Sequence, residues 1–122
     1  MAYFRCGSGG SSGGDSYTLS TTKTVRFTSK AGSLTDLTSG KSYMLIIAFG
    51  WSNTNYKAEL ASATNTTGLT KVNSGVDVVG QTSCNTNWSI YTFTATSTSS
   101  TLTFSSMGSV TSDVRIFLFE KV

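Results

Sequence analysis

The sequence predicts an all-β fold, a single jelly-roll-type β-sandwich of about eight strands with a short amino-terminal arm. A barrel of similar size is the alternative. Roughly a third of the 122 residues are Ser or Thr and helix-forming residues never cluster, which favours strands and turns over helices. Apolar residues at alternate positions recur in short stretches, and turn residues separate these stretches about every ten residues. The longest apolar run, 42–51, is too short for a membrane-spanning helix and is typical of a strand.

The amino-terminal segment is predicted to be an arm. Residues 1–6 are apolar, residues 7–15 form a linker rich in Gly and Ser, and the sandwich domain is predicted to span 16–122. Because linkers usually join ordered parts, we expect the arm to dock on its own domain or on a partner. The anchor residues would be Tyr3, Phe4 and Arg5. The first residues lack the pattern of a signal peptide, so we expect synthesis in the cytoplasm.

The remaining elements follow from alternation and from turn residues. The predicted strands are one long bent strand or two short ones in 17–29, a brief apolar segment at 34–37, the central strand 42–51, and further strands at 56–63, 69–72, 76–79, 88–96, 102–104 and 113–122. Turns are predicted at 31–33, 65–68, 73–75 and 97–100, and polar loops at 52–55 and 80–87, where Gly, Asn and Ser cluster.

Two predicted strands are apolar on both faces. In the central strand the odd-numbered residues 43–51 point to one side and the even-numbered residues 44–50 to the other. The last strand places Val114, Ile116 and Leu118 on one face and two Phe residues on the other. A sandwich strand needs only one apolar face, so a further layer, a loop or another copy must cover the second. We therefore expect a homo-oligomer, with a trimer favoured. The candidate interface residues are Met44, Ile46, Phe117 and Phe119.

Charge and residue types argue against several functions. The net charge is +3 and the basic residues are spread singly along the chain, unlike those of nucleic-acid-binding proteins. There is no His to act as a general base, and the six carboxylates include no close pair. Cys6 and Cys84 are too few for a zinc site, and they form one disulfide or remain free thiols. We expect no enzymatic activity, no metal or other cofactor, no nucleic-acid partner and no membrane insertion.

Two polar segments place an aromatic ring beside Asn side chains. Sugar-binding sites use this chemistry, because a ring packs on the apolar side of a pyranose while amides bond its hydroxyls. The candidate glycan-binding residues are Trp51, Asn53, Asn55, Tyr56, Asn87 and Trp88. A Trp at the end of an apolar strand is also typical of a ring that covers the core, so both interpretations stay open.

The chain opens with Met-Ala-Tyr-Phe-Arg-Cys-Gly-Ser-Gly-Gly. This start resembles those of short structural proteins of tailed bacteriophages and prophages, in which a Gly-rich tract follows an aromatic-Arg-Cys motif. Segment 91–104 and a last strand beginning Ser-Asp-Val at 112 resemble the closing strands of jelly-roll carbohydrate-binding modules, although 116–119 is apolar where theirs is polar.

The resemblance implies a virion structural protein made in the host cytoplasm: a capsid fibre, decoration or tail component. It would self-associate and dock to other virion proteins through its amino-terminal arm. The alternative is an adhesin module that binds carbohydrate or another host receptor, with a cell-surface glycan as its partner.

Overall fold

The computed structural model describes residues 3–6, 15–28, 30–51, 59–78, 85–105 and 111–122. All regular elements in these ranges are strands, which confirms the predicted all-β class. They are β1 (Tyr3–Cys6), β2 (Asp15–Thr28), β3 (Ala31–Leu34), β4 (Ser42–Trp51), β5 (Leu60–Ala63), β6 (Thr66–Val78), β7 (Asn85–Ala95), β8 (Ser100–Phe104) and β9 (Thr111–Lys121).

The strands pair as nested antiparallel partners. β2 pairs with β9, β3 with β8 and β4 with β7, while β5 and β6 follow each other at the centre of the nest. Side by side, the order is β5-β8-β3-β2-β9-β4-β7-β6, and β1 adds to β2 outside this path. A long hairpin that rolls up gives this nesting, which is the topology of a jelly roll.

One buried cluster, here called the inner core, draws on strands from the whole length of the sheet. Its residues are Val25, Phe27, Leu34, Leu37, Tyr43, Leu45, Ile47, Tyr91, Phe93, Ala95, Leu102, Phe104, Val114, Ile116 and Leu118. The rings of Phe27 and Phe104 stack with centroids 4.4 Å apart. The amide N–H of Leu60 donates to the hydroxyl of Tyr91 at 2.8 Å and so links β5 to β7. The sheet therefore curls around the core.

The doubly apolar strands lie where the sequence predicts. β4 spans the predicted central strand, and its described odd-numbered side chains 43–47 belong to the inner core. β9 lies directly beside β4, with Leu118 opposite Leu45 and Phe117 opposite Ile46. The two doubly apolar strands are therefore neighbours in the interior of the strand order.

Two predicted turns are wrong. Residues 31–33 belong to β3, and residues 73–75 continue β6, where Gly75 lies opposite Trp88. In both segments the Gly leaves room for a ring: a Cβ on Gly32 would lie 2.7 Å from the Phe27 ring, and one on Gly75 would lie 2.6 Å from the Trp88 indole. Gly signals a close approach here rather than a reversal of the chain.

The remaining turn and loop predictions shift only in their bounds. The turn expected at 65–68 lies at Thr64 and Asn65, and the bend at 96–98 falls near the predicted turn 97–100. The predicted polar loop 52–55 lies outside the described residues, and so do residues 80–84 of the second loop. Residues 85–87, predicted to end that loop, belong to β7.

The long first strand of the domain changes face at a bulge. β2 is one strand, and its pairing with β9 shifts register between Leu19 and Thr21. Because a one-residue shift moves every following side chain to the opposite face, Leu19 lies outside the inner core and Val25 within it.

The amino-terminal arm forms part of the same sheet. β1 pairs with β2 from Tyr3 opposite Thr18 to Cys6 opposite Asp15. Cys6 and Asp15, the residues on either side of 7–14, are therefore cross-strand partners. Residues 7–14 themselves lie outside the described residues, and so does Cys84. The role of Tyr3, Phe4 and Arg5 as an anchor for another protein stays a prediction.

Candidate functional site

A second apolar cluster lies on the other side of the sheet from the inner core. This outer apolar face consists of Tyr17, Leu19, Met44, Ile46, Ile90, Phe117 and Phe119. Two rows of cross-strand partners build it: Leu19, Phe119 and Met44 form one, and Phe117, Ile46 and Ile90 form the other. Close partners of this kind are the main source of side-chain stabilisation in a sheet.

The outer apolar face is buried at one end and open at the other. Met44, Tyr17 and Phe119 are 1%, 4% and 8% exposed. Ile46 and Phe117 are only half-buried. The structure thus brings together all four predicted interface residues, but Met44 and Phe119 are already covered within the chain. The part still available to a partner centres on Ile46 and Phe117.

Trp88 extends the open end of this face. It lies opposite Ala48 on one side and Gly75 on the other, and it is half-buried. A Cβ on Gly75 would meet the indole at 2.6 Å, so the ring lies across the backbone of β6. Among the described side chains, Trp88 is the only candidate sugar-binding residue that reaches the surface.

Asn87 and Trp88, which the sequence predicts to belong to one sugar site, lie on opposite faces of β7. Asn87 is 0% exposed and lies on the inner side of β7, because adjacent residues of a strand point to opposite faces. Neither polar atom of its amide has a hydrogen-bond partner in the structure. For Trp51 the structure describes the backbone alone, which pairs with Asn85 at the end of β4. The remaining candidates, Asn53, Asn55 and Tyr56, lie outside the described residues.

A polar cleft, which the sequence analysis missed, opens on the outer side of the sheet at its buried end. We call it the hydroxyl cleft; its volume is about 260 Å³. Its polar lining includes Asp15, Tyr17, Ser42, Thr67, Thr94 and Lys121. These side chains come from five strands, so no local motif marks them. The only signal in the sequence is Thr at alternate positions 92 and 94, which predicts one hydroxylated strand face.

A cluster of charged and polar groups joins Glu59, the residue before β5, to β6. The Lys71 ammonium donates to the Glu59 carboxylate at 2.9 Å, and the Ser74 hydroxyl donates to the same oxygen at 3.0 Å. The hydrogen bond from Lys71 to Glu59 and the negative charge of Glu59 raise the pKa of Lys71. Burial raises the pKa of the nearby Tyr91 hydroxyl. We interpret this cluster as a structural link between β5 and β6.

Within the described ranges, no group of three or more His, Cys, Asp or Glu side chains could hold a metal ion. The same residues contain no helix with the length and apolarity needed to cross a membrane. The chain matches no family model, and neither the curated proteins nor the solved structures include one similar to it.

Proposed function

We propose that this chain is a non-enzymatic virion structural protein, a phage capsid fibre, decoration or tail component, that self-associates through the outer apolar face and docks through its amino-terminal arm. The observation that carries the proposal is the surplus of apolar side chains on β4 and β9. Met44 and Phe119 already complete a second cluster, and Ile46 and Phe117 continue it toward solvent. A second copy would remove this remaining apolar surface from water.

The edges of the sheet favour association by faces rather than by strand pairing. Among the described strands, β5 and β6 end the path. β5 has only 4 residues, and its pairing with β8 contains a register shift. β6 is longer, but two register shifts interrupt its pairing with β7 and it carries Lys71. Short, bulged and charged edges resist the addition of another strand, so the outer face suits a partner copy better than either end of the path does.

The docking part of the proposal rests on the arm. β1 belongs to the sheet through its backbone pairing with β2. An added strand at the margin of a domain is a common place for a partner to bind, because it offers an edge for further pairing. Tyr3, Phe4 and Arg5 remain the proposed anchor.

Light scattering of the purified protein tests self-association. The wild-type chain is expected to form a closed oligomer, with a trimer favoured, and Ile46→Lys is expected to dissociate it because the ammonium would lose its hydration at the contact. The matched control is Ser33→Lys, an exposed position on β3, which should leave the oligomer intact. Circular dichroism must show the same β content in all three proteins. A wild-type monomer would contradict the proposal.

Incorporation into particles tests the arm. A chain lacking residues 1–14 loses β1; it should keep the β content of the other strands and lose its place in the virion. Normal incorporation of the truncated chain would place the anchor elsewhere.

A further inference from the structure

We propose that the hydroxyl cleft binds one ring of a neutral saccharide. This binding site lies at the buried end of the outer side of the sheet, and it uses none of the aromatic and Asn residues that the sequence suggested for sugar binding. It is independent of the proposed self-association, which concerns the open end around Ile46.

The lining supplies the hydrogen-bonding groups that a sugar needs. The hydroxyls of Ser42 and Thr94 lie on neighbouring strands and share a hydrogen bond of 2.8 Å. Thr67 and Thr92 add two further hydroxyls from β6 and β7. Each hydroxyl can donate one hydrogen bond and accept two, so the Ser42–Thr94 pair keeps capacity for a ligand. Groups that both donate and accept are suited to sugar hydroxyls, which also do both.

The charges around the cleft favour a neutral ligand. Asp15 and Lys121 are its charged lining residues, and they form an ion pair of 3.6 Å in which both side chains are about half-exposed. Each charge is therefore compensated within the cleft, and no positive charge is left over for a phosphate or a carboxylate. The pair can still donate to and accept from hydroxyls at the rim.

Two irregularities in the strands shape the cleft. The pairing of β6 with β7 shifts register between Thr67 and Thr70, and the hydroxyl of Thr70 donates to the Gly68 carbonyl at 3.0 Å across the bulge. Gly68 has a φ of +67°, and a Cβ placed on it would meet nothing within 4 Å, so the space above it is open. The bulge in β2 lies after Leu19, and Tyr17 before it faces the outer side of the sheet, where it lines the cleft. Bulges of this kind are frequent beside binding sites.

Size and rigidity agree with a single small ring. A volume of about 260 Å³ lies just below the ~300–1,000 Å³ of sites for drug-sized ligands. Tyr17 is 4% exposed and packs into the outer apolar face. Its side chain is therefore already held in place before a ligand binds, and binding costs no further entropy there. We expect weak, millimolar affinity, because the cleft is open to solvent and few atoms are buried.

Amide chemical-shift titration of the full chain tests the site with D-glucose, D-galactose and N-acetyl-D-glucosamine. At least one of these sugars should shift the amide resonances of Ser42, Thr94 and Gly68 in a saturable way. Thr94→Val keeps the side-chain shape and removes one hydroxyl, so it should weaken binding about fivefold or more. The matched control Thr24→Val, at an exposed position of β2, should bind as the wild type does. Ser42→Ala provides a second variant if Thr94→Val fails to fold.

Two results would overturn the assignment. The first is that none of the three sugars shifts these resonances, or that the shifts persist unchanged in both cleft variants. The second is that D-glucuronate binds more tightly than D-glucose, which would mean that Lys121 acts as an anion site. The titration is repeated on Ile46→Lys, where binding should persist, so failure of the saccharide site is distinguishable from failure of self-association.

Discussion

The two faces of β4 carry similar apolar side chains and differ in how completely they are covered. Tyr43, Leu45 and Ile47 on the inner side are at most 1% exposed, and side chains from across the curled sheet surround them. On the outer side Met44 is equally buried, whereas Ile46 two residues further on is half-buried. Apolar composition therefore shows that a strand face needs cover, and only the fold shows how much of that cover the chain itself provides.

The comparison separates stability from association. Inner positions have no freedom to relax, because they are enclosed on every side in a closely packed interior. Outer positions keep some solvent contact. A substitution there should therefore lower the free energy of unfolding less than an inner one does, and it should affect self-association more.

Ile47→Ala should give the largest loss. Ile47 is 0% exposed, so truncation leaves a cavity and should lower the free energy of unfolding by about 2–5 kcal/mol. Urea denaturation followed by circular dichroism measures it, at one fixed protein concentration because association adds to apparent stability. Ile46→Ala is the matched control on the opposite face, where we expect about 1 kcal/mol. Equal losses in the two variants would mean that the faces do not differ.

Gly32→Ala should come next. The added Cβ would lie 2.7 Å from the ring of Phe27, which is 0% exposed and stacked on Phe104. Neither ring has space to move, so we expect a loss of about 1–3 kcal/mol in the free energy of unfolding. Thermal denaturation measures it, with Ser33→Ala as the control at the next, exposed position. A loss no larger than that of the control would contradict the packing described here.

Gly75→Ala is the counterpart of Gly32→Ala on the outer face. It should lower the free energy of unfolding by about 1 kcal/mol, at the low end of the range for overpacking. Its Cβ would meet the indole of Trp88 at 2.6 Å. Trp88 is half-buried and can swing toward solvent, unlike Phe27. The indole N–H resonance of Trp88 should therefore shift and exchange faster with solvent. A cost above that of Gly32→Ala would reverse the proposed order of the faces.

High pH should produce the smallest effect. The ordinary pKa values are 10.0 for Tyr and 10.5 for Lys, and both Tyr91 and Lys71 are raised above them in the folded chain. The folded state therefore keeps protons that the unfolded state releases, so stability is retained below pH 10.0 and falls as the pH rises above it. Melting temperatures between neutral and alkaline pH measure the decline. Glu59→Gln should make it shallower, because it removes the charge that raises the pKa of Lys71. If the melting temperature of Glu59→Gln declines with pH as steeply as that of the wild type, Glu59 does not contribute to the decline.

Local sequence patterns are enough to predict the all-β class, the bounds of β4 and the apolar nature of both its faces. These features follow from a period of two residues, which is a local property of the chain. The same alternation puts Tyr91 and Phe93 on one face of β7, and both belong to the inner core. The same rule puts Asn87 and Trp88 on opposite faces of β7, so closeness in sequence does not bring their side chains together.

The folded sheet is needed to locate the bulge after Leu19, the pairing of β1 with β2 and the hydroxyl cleft. Each depends on a cross-strand partner; Leu19, for example, lies opposite Phe119 at the far end of the chain. The identity and register of such a partner are set by the total burial that the whole sheet achieves, so no local window contains them. Gly32 and Gly75 show the same limit, because the rings that require their missing side chains, Phe27 and Trp88, are positioned by the sheet.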